Sequence, residues 1–433
     1  MIYLANMVDN IIKTQDGQCL TIEEWLDAVP SMSSKNYVLF LNILFPRILP
    51  ALKSRGFTLK QRLRDSKMGE PRYSISTYKN RITRLKISIN NSVHEFIEFG
   101  GLIQYRNPYD PILLPGDIEF ADWLLQHYTT VPNSPVEEGR KLLGRLDLVR
   151  QPAWKTFPAA LKMDLKMACL DPAIMYVHEN GYGHHDCVWD YDFNSLYPYV
   201  LATQEFLPDA AQAKWHDHLP TRVPQGYVCI CQSLNRISEM FLVNDEIPCE
   251  CGWLIPLSFK NPWRNNMHEA YKKKKILKQK GGPEYRFYKL QMNSFIGTFA
   301  QRGAGNRIEV FIFITTIARR MLLREIITAE KKGCHVLAAN TDGWITDKPI
   351  PGFCDSDELG KPRLDAVLHN ATIYEYNRIV SDEGITLAGL PADCYDNETQ
   401  SGTFHRLAVS KYDELPRYVS VTIDVTERYS EEK

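Results

Sequence analysis

The sequence predicts an α+β protein with more than one domain, and three observations carry that expectation. An apolar, aromatic-rich strand over Cys187–Asp192 ends on a carboxylate. Two helices, over 265–280 and 283–300, are separated by Gly281-Gly282-Pro283. The glycines end the first helix and the proline suits the first position of the second. A long amphipathic helix over 311–332 then leads into a strand, an Asp342-Gly343 turn and a returning strand. Turn-linked strands with helices set apart from them are the α+β pattern.

Each element has a local reason. Thr21 with Glu24 is a capping box that opens a helix, and Pro30 closes it. Residues 37–54 read as apolar helical material interrupted by prolines. From Tyr73 to Phe99 the pattern is β-like, with Ile82, Leu85, Ile87 and Ile89 set among polar residues. Helices are expected near 117–128 and 136–149, and Pro152 and Pro158 bracket a linker. His178 to Asp186 reads as a hairpin turn before the Cys187–Asp192 strand. Residues 225–232 and 249–256 read as strands, as does Val336 to Asn340, answered by Trp344 to Thr346. Short strands and loops follow, ending in a charged tail.

A chain of 433 residues is too long for one ordinary core and implies two to four domains. Its composition, 44% hydrophobic and 24% charged, is that of a soluble globular protein. The formal net charge of -1 removes any global basic field, so a nucleic-acid surface must come from local clusters. Ten cysteines in so long a chain do not form a disulfide framework. The first residues show no basic stretch followed by an apolar core, so a secretory signal is not expected. The most apolar run, Val38 to Phe45, is broken by Asn42 and followed by Pro46 and Arg47, too short to span a bilayer. A reducing cytoplasm is the expected location, with no membrane partner.

The chemistry concentrates in three motifs. The first is Asp192-Phe193-Asn194-Ser195-Leu196-Tyr197-Pro198: a carboxylate at a strand end, a polar turn, and a tyrosine pinned by proline. The second lies on the second helix of the pair. There Arg286, Lys289, Asn293 and Ile296 share a face, followed by Gly297. That face offers cations, an amide and an apolar surface. The third is Ala339-Asn340-Thr341-Asp342-Gly343. Strand alternation is expected to put Asn340 and Asp342 on one side of the sheet. Nucleotidyl transfer needs divalent cations that bridge phosphates and the attacking oxygen, and Mg²⁺ is held by one or two carboxylates plus phosphate oxygens. Asp192 and Asp342 are the aspartates that meet this minimum. Upstream, Tyr271, Lys274, Lys275 and Lys278 also share a helical face. Lys272 to Lys275 is either a solvated surface or a source of cations for phosphates, and Lys278 is the chosen candidate after Lys289, with Arg286.

In this order the three motifs resemble motifs A, B and C of the family B DNA polymerases: "DxxSLYP", "KxxxNSxYG" and "YxDTDS". The similarity covers roughly residues 165–400. It departs from the pattern at Ile296, where the family has tyrosine, at Asn340, where it has aspartate, and at Gly343, where it has serine. The resemblance implies a right-hand polymerase, of the phage, plasmid or protein-primed-like branch, behind an N-terminal mixed α/β domain over 1–160. An antiparallel palm would occupy 161–260 and 301–365, helical-hairpin fingers 261–300, and a small thumb 366–433. It implies two Mg²⁺ (or Mn²⁺) ions on Asp192, Asp342 and the Phe193 carbonyl. Ser195, Leu196, Tyr197, Lys278, Arg286, Lys289 and Asn293 would bind the nucleotide, with Tyr197 under the sugar to exclude a 2′-hydroxyl. Asn340 and Thr341 would form the variant motif C, with weaker metal affinity. Gly297 would face DNA.

Ala388-Gly389-Leu390-Pro391 looks like the element that follows motif C. The "KxY" motif before it has only Tyr374-Glu375-Tyr376 as a candidate, so Lys411 or Arg417 would hold the primer terminus. The implied partners are template and primer DNA, dNTPs and a priming protein.

A proofreading exonuclease is expected to be absent. Asp117-Ile118-Glu119 is a DxE, but Asn107 and Asp110 precede it, and Tyr182 to Asp186 lies too close to motif A. The β-rich stretch at 73–99 is either a remnant of such a domain or unrelated to it. Cys229/Cys231 and Cys249/Cys251 are spaced too tightly for zinc and read as buried strand residues. Two rivals to a templated polymerase stay open: a template-independent or protein-directed nucleotidyltransferase, and a catalytically weak replication scaffold supported by Asn340.

Overall fold

The computed structural model describes residues 2–5, 7–8, 11–13, 19–31, 37–40, 45–59, 71–78, 81–89, 92–97, 146–170, 173–232, 238–300, 306–387, 395–408 and 417–426. The expectations on Asn107, Asp110, Asp117–Glu119, Ala388–Pro391 and Lys411 lie outside the described residues, as do the helix at 117–128 and most of the one at 136–149. The chain divides into two compact units. One comprises Met1–Ser134, Gly282–Glu284 and Ala388–Glu427; the other comprises Pro135–Gly281, Tyr285–Leu387 and Arg428–Lys433.

In the first unit, Thr21 caps the helix Ile22–Ala28 as expected. Its hydroxyl accepts from the Glu24 N–H at 3.2 Å, and the Glu24 carboxylate accepts from the Thr21 N–H at 2.7 Å. Such a cap stabilises a helix by about 1 kcal/mol. The helix buries Trp25 and Leu26 against Ile48, Leu49, Tyr73, Ile87 and Phe96. The β-like stretch forms three strands, Arg72–Tyr78, Arg81–Ile89 and Ser92–Ile97, in a six-stranded sheet. The 37–54 segment is not all helix. Tyr37–Phe40 is a strand parallel to Ile2–Ala5, and only Phe45–Ser54 is helical. Four consecutive β-formers outweigh the helical spacing there, and Pro46 is tolerated in a first turn where its missing N–H is not needed. A separate three-stranded antiparallel sheet comprises Tyr395–Asp396, Ser401–Ala408 and Arg417–Asp424.

The second unit is built on a seven-stranded antiparallel sheet. Its order is Met175–Val177, Val336–Asn340, Gly343–Thr346, Gly183–Phe193, Pro362–Glu375, Arg378–Ser381 and Gly384–Leu387. The strand bearing motif A is therefore central. Tyr191 and Phe193 point into a core shared with the helix Ile308–Lys331, where Ile312, Phe313, Ala318 and Leu322 are buried. Alternation sends Asp190 and Asp192 to the other face. The motif A strand begins at Gly183, earlier than expected, because a one-turn helix, Glu179–Gly181, already reverses the chain. Gly181 is required there, since a Cβ would overlap the Leu337 carbonyl. The strand Pro362–Glu375 runs unbroken through the 365/366 boundary drawn from the sequence, and the two strands after it join the same sheet.

The stretch between Pro152 and Pro158 is not a bare linker. It is a 3-10 turn, Pro152–Thr156, followed by a helix, Ala159–Ala168. Leu161, Leu165 and Ala168, an i, i+4, i+7 stripe, pack into the core and hold that helix. A second sheet orders Phe206–Pro208, Gly252–Lys260, Tyr227–Gln232 and Ser238–Phe241. There Cys231, buried on its strand, forms a disulfide with Cys249, with Cα atoms 6.4 Å apart; Cys249 is half-buried and, like Cys251, precedes the strand Gly252–Lys260 and does not lie on it as expected. Cys229 is free and buried, and Cys251 is free and exposed.

The helical hairpin matches its expected bounds within a residue: Arg264–Lys280 and Pro283–Phe299. Gly281 and Gly282 both have positive φ, 71° and 87°, the conformation for which glycine is suited. The hairpin is anchored at its base by Trp263, fully buried, edge-on to both Phe295 and Phe299 at 5.8 and 5.1 Å. Each such aromatic pair adds about 0.5–1.5 kcal/mol beyond its buried area.

Candidate active site

Asp192 and Asp342 are brought together by strand register. Asp192 pairs with Gly343 across the central strands, and the Phe193 N–H donates to the Asp342 carbonyl at 3.1 Å. Gly343 makes this approach possible: a Cβ there would stand 2.9 Å from the Tyr191 carbonyl oxygen. Two turn residues near the carboxylates are held in the left-handed region: Thr341, next to Asp342, at φ 63°, and Ser195, three residues after Asp192, at φ 55°. A non-glycine residue there costs on the order of 1–3 kcal/mol, a strain that gathers at functional sites.

Both carboxyls are raised above the usual carboxylate range. Burial pushes Asp342 to about 7, with the Asp192 charge adding to the rise; Lys289 and Lys274 are near enough to oppose it. Burial also raises Asp192, against the lowering effect of Arg363. Asp190, on the same face as Asp192, is pushed up to about 7 by burial and then by Asp365 and Asp192. Burial, then Asp342, raises the Tyr197 hydroxyl.

Over this acidic floor stands a wall of cations from the hairpin. A cavity of about 1030 Å³ is lined by Asp192, Phe193, Ser195, Leu196, Tyr197 and Asp342 on one side and by Lys274, Lys275, Lys278, Lys289, Asn293 and Gly297 on the other. Ile296, almost fully buried, also lines it, and Gly297 faces open space. The lysine run divides. Lys272 pairs with Glu269 at 2.8 Å and Lys273 lies over the Tyr288 ring at 5.0 Å, while Lys274 turns inward and donates to the Ser195 hydroxyl at 2.5 Å. Burial, with crowding by Lys289 and Lys278, lowers Lys274 to about 8. The Tyr271 hydroxyl donates to the Asp357 carbonyl at 2.8 Å, tying the same helix to the 351–361 loop.

Asn340 departs from expectation. Asp342 does not continue its strand; it sits in the two-residue turn Thr341-Asp342, between the paired Asn340 and Gly343. Alternation therefore stops at Asn340, which is not among the cavity-lining residues, whereas Thr341 and Asp342 are. The Asn340 side chain accepts from the Thr341 hydroxyl at 2.9 Å and its carbonyl from the Asp342 N–H at 2.7 Å, so it braces the turn. Arg286 is on the second hairpin helix, and its side chain lies outside the described residues. On the helix Ile308–Lys331, Arg320 forms an ion pair with Asp245.

Sequence reasoning passed over three groups. Lys274 carried the helical-face signal but was not chosen. Asp190 carried the alternation signal, two residues before Asp192. Arg363, 3.5 Å from Asp192, had none, because only strand pairing places it there.

The donor set suits hard divalent cations. Two half-buried carboxylates, with the Asp192 charge raising the proton affinity of Asp342, favour any cation that relieves the repulsion. Among the described residues no group of three or more His, Cys, Asp or Glu side chains is placed to hold a metal. Two carboxylates and a carbonyl suffice for Mg²⁺ when waters or phosphate oxygens complete its shell. Among the described residues no helix is long and apolar enough to cross a membrane.

No protein-family model and no curated protein matches the sequence. Solved structures do match. Phi29 DNA polymerase in ternary complex with primer-template DNA and incoming nucleotide substrates aligns with TM-score 0.65 at 12% identity, over 98% of this chain and 100% of that one. Its orthorhombic crystal form gives TM-score 0.65 at 12% identity over 98% and 99%. The binary complex with primer-template DNA gives 0.64 at 12% identity over the same shares. The chain thus has a mixed α/β fold similar, along almost its whole length, to that of phi29 DNA polymerase.

Proposed function

We propose that this chain is a family B-type DNA polymerase that extends a primer by templated addition of dNTPs. The observation that carries the reading is the single cavity in which Asp192 and Asp342 face Lys274, Lys278, Lys289 and Asn293. It occurs on a fold similar to that of a polymerase solved with primer-template DNA and nucleotide. Asp192, Asp342 and the Phe193 carbonyl are the oxygen donors that would hold two Mg²⁺ or Mn²⁺ ions. When bound, such ions neutralise charge on the triphosphate and acidify the attacking hydroxyl.

The chain's own groups do the rest. Lys289, Lys274 and Lys278 bind the triphosphate oxygens, and Lys289 and Lys274 already bias the field at Asp342. The Tyr197 ring, held beneath the cavity, leaves room for a deoxyribose and clashes with a 2′-hydroxyl. Ile296 and Gly297 form the surface on which the nascent base pair stacks. The primer 3′-oxygen displaces pyrophosphate from the α-phosphorus, and the lysines hold the leaving group's charge. With a net charge of -1, DNA is held by local basic faces, so binding falls with salt. In this reading the seven-stranded sheet is the palm and the helical hairpin the fingers.

The deciding experiment is primer extension on a defined DNA template with Mg²⁺ or Mn²⁺, comparing the wild type with Asp342→Asn. Templated products that vanish in the variant support the reading. Untemplated product points to a template-independent nucleotidyltransferase, and DNA binding with no product under either metal points to a scaffold.

A further inference from the structure

Arg363 stands opposite Asp192 on the neighbouring strand and lines the cavity. One terminal nitrogen, Nη2, serves two carboxylates unequally: Asp365 Oδ1 at 2.5 Å and Asp192 Oδ2 at 3.5 Å. The first is a close charge-assisted contact, whereas the second is an ion pair beyond ordinary hydrogen-bond length. The guanidinium Nε is buried and has no hydrogen-bond partner among the described residues. A fork of five donors is thus only partly used, and its weaker tie is to the carboxylate a metal needs.

The backbone is arranged to keep this arginine in place. The register between the two strands shifts at Asp190/Tyr191, pairing Asp190 with Ala366 and Tyr191 with Leu364, which leaves Asp365 as the extra residue. Bulges of this kind re-aim side chains beside active sites. Asp365, the residue left over, carries the carboxylate that holds Arg363 most closely, and the Asp190 carboxyl feels both charges. One permanent cation therefore serves Asp190, Asp192 and Asp365.

Resting on the two-metal reading above, we propose that Arg363 is a built-in counter-ion of Asp192 that a divalent cation must displace, with Asp365 as the group that retains it. Arg363 then sets how tightly the site takes its metal. When a cation arrives, the guanidinium gives up its longer contact and keeps its shorter one, so the exchange needs no rearrangement of the strands. The cost to the cation is competition with a charge already present.

The test is direct Mn²⁺ binding to the full chain, without DNA or nucleotide, read by electron paramagnetic resonance of the free ion. Arg363→Gln is expected to bind Mn²⁺ about threefold more tightly or better, the scale of a partly exposed ion pair. Asp365→Asn is expected to weaken binding, because Arg363 then turns fully to Asp192. In the double variant, the Asp365 effect should largely disappear. Unchanged or weaker Mn²⁺ binding by a folded Arg363→Gln protein overturns the proposal. If that variant does not fold, Asp365→Asn decides alone: weaker binding supports the proposal and unchanged binding overturns it. If no Mn²⁺ site sensitive to Asp192→Asn exists in the wild type, the two-metal reading falls, and this inference with it. A wild-type site that Arg363→Gln leaves unaltered overturns this inference alone.

Discussion

The floor and the wall of the cavity are made by different means. The floor is strand-built. Asp192 and Asp342 are set by cross-strand pairing, by one glycine against a carbonyl and by two left-handed turn residues, so their positions are coupled to the whole sheet. The wall is helix-built. Lys274, Lys278 and Lys289 project from a hairpin anchored mainly at its base by Trp263, and their long side chains choose among partners. A pleated sheet leaves a carboxylate little freedom, while a helix face offers several equivalent cations. The floor should therefore be intolerant of change and the wall graded.

The largest expected effect breaks the floor. Asp342→Asn or Asp192→Asn should lower primer extension by about a thousandfold or more, since each variant loses a carboxylate that would hold the divalent cation. Single-turnover rates check it. A loss of only severalfold in both would mean that the floor is not the catalytic centre.

Next comes the wall. Lys289→Ala and Lys274→Ala should each raise KM for dNTP by about tenfold to a hundredfold, the worth of a charge-assisted hydrogen bond, with kcat less affected. Ser195→Ala should do less than Lys274→Ala, because it removes only the anchor. Steady-state kinetics separate the two, and equal effects would show that the anchor itself is essential.

Gly343→Ala sharpens the coupling of the floor to its sheet. The added methyl must displace the Tyr191 carbonyl, which should cost about 1–3 kcal/mol and lower activity by moving Asp192. Thermal unfolding and primer extension together check it. Loss of activity without loss of stability would mean that the glycine serves a bound ligand instead.

The smallest effect is the pH dependence of the metal-free protein. Asp342 and Asp190 have folded values near 7, above the 3.8 of the unfolded chain, so between these pH values the folded state holds more protons. Stability should therefore fall as pH rises from about 4 through 7, and Asp342→Asn should flatten part of that slope. Unfolding midpoints across that range, with chelator present, check the sign. Added Mg²⁺ should reverse the trend in the wild type, because metal binding favours the ionised carboxylates.

Local chemistry made much of this legible. The helical hairpin was readable to within a residue because Gly281-Gly282-Pro283 leaves few conformations open. The capping box of Thr21 and Glu24 was readable because it is a bond between near neighbours. Asp192, Tyr197, Lys289, Asn293 and Asp342 were readable as a motif set, and all five line one cavity. The helix Ala159–Ala168 was missed because two prolines drew attention from an apolar stripe. The 37–54 segment was misread because its strand is stabilised by a parallel partner in another part of the chain.

By itself the sequence determined the helical hairpin, the capped helix at Thr21 and the order of the motifs, since each depends on bonds within a few positions. Tertiary structure alone decided that Asn340 braces a turn and does not line the cavity. It also decided that Lys274 and not its lysine neighbours meets Ser195, and that Arg363 shares Asp192 with the site. Strand register and side-chain competition are set by partners far away in the chain, and no local pattern records them.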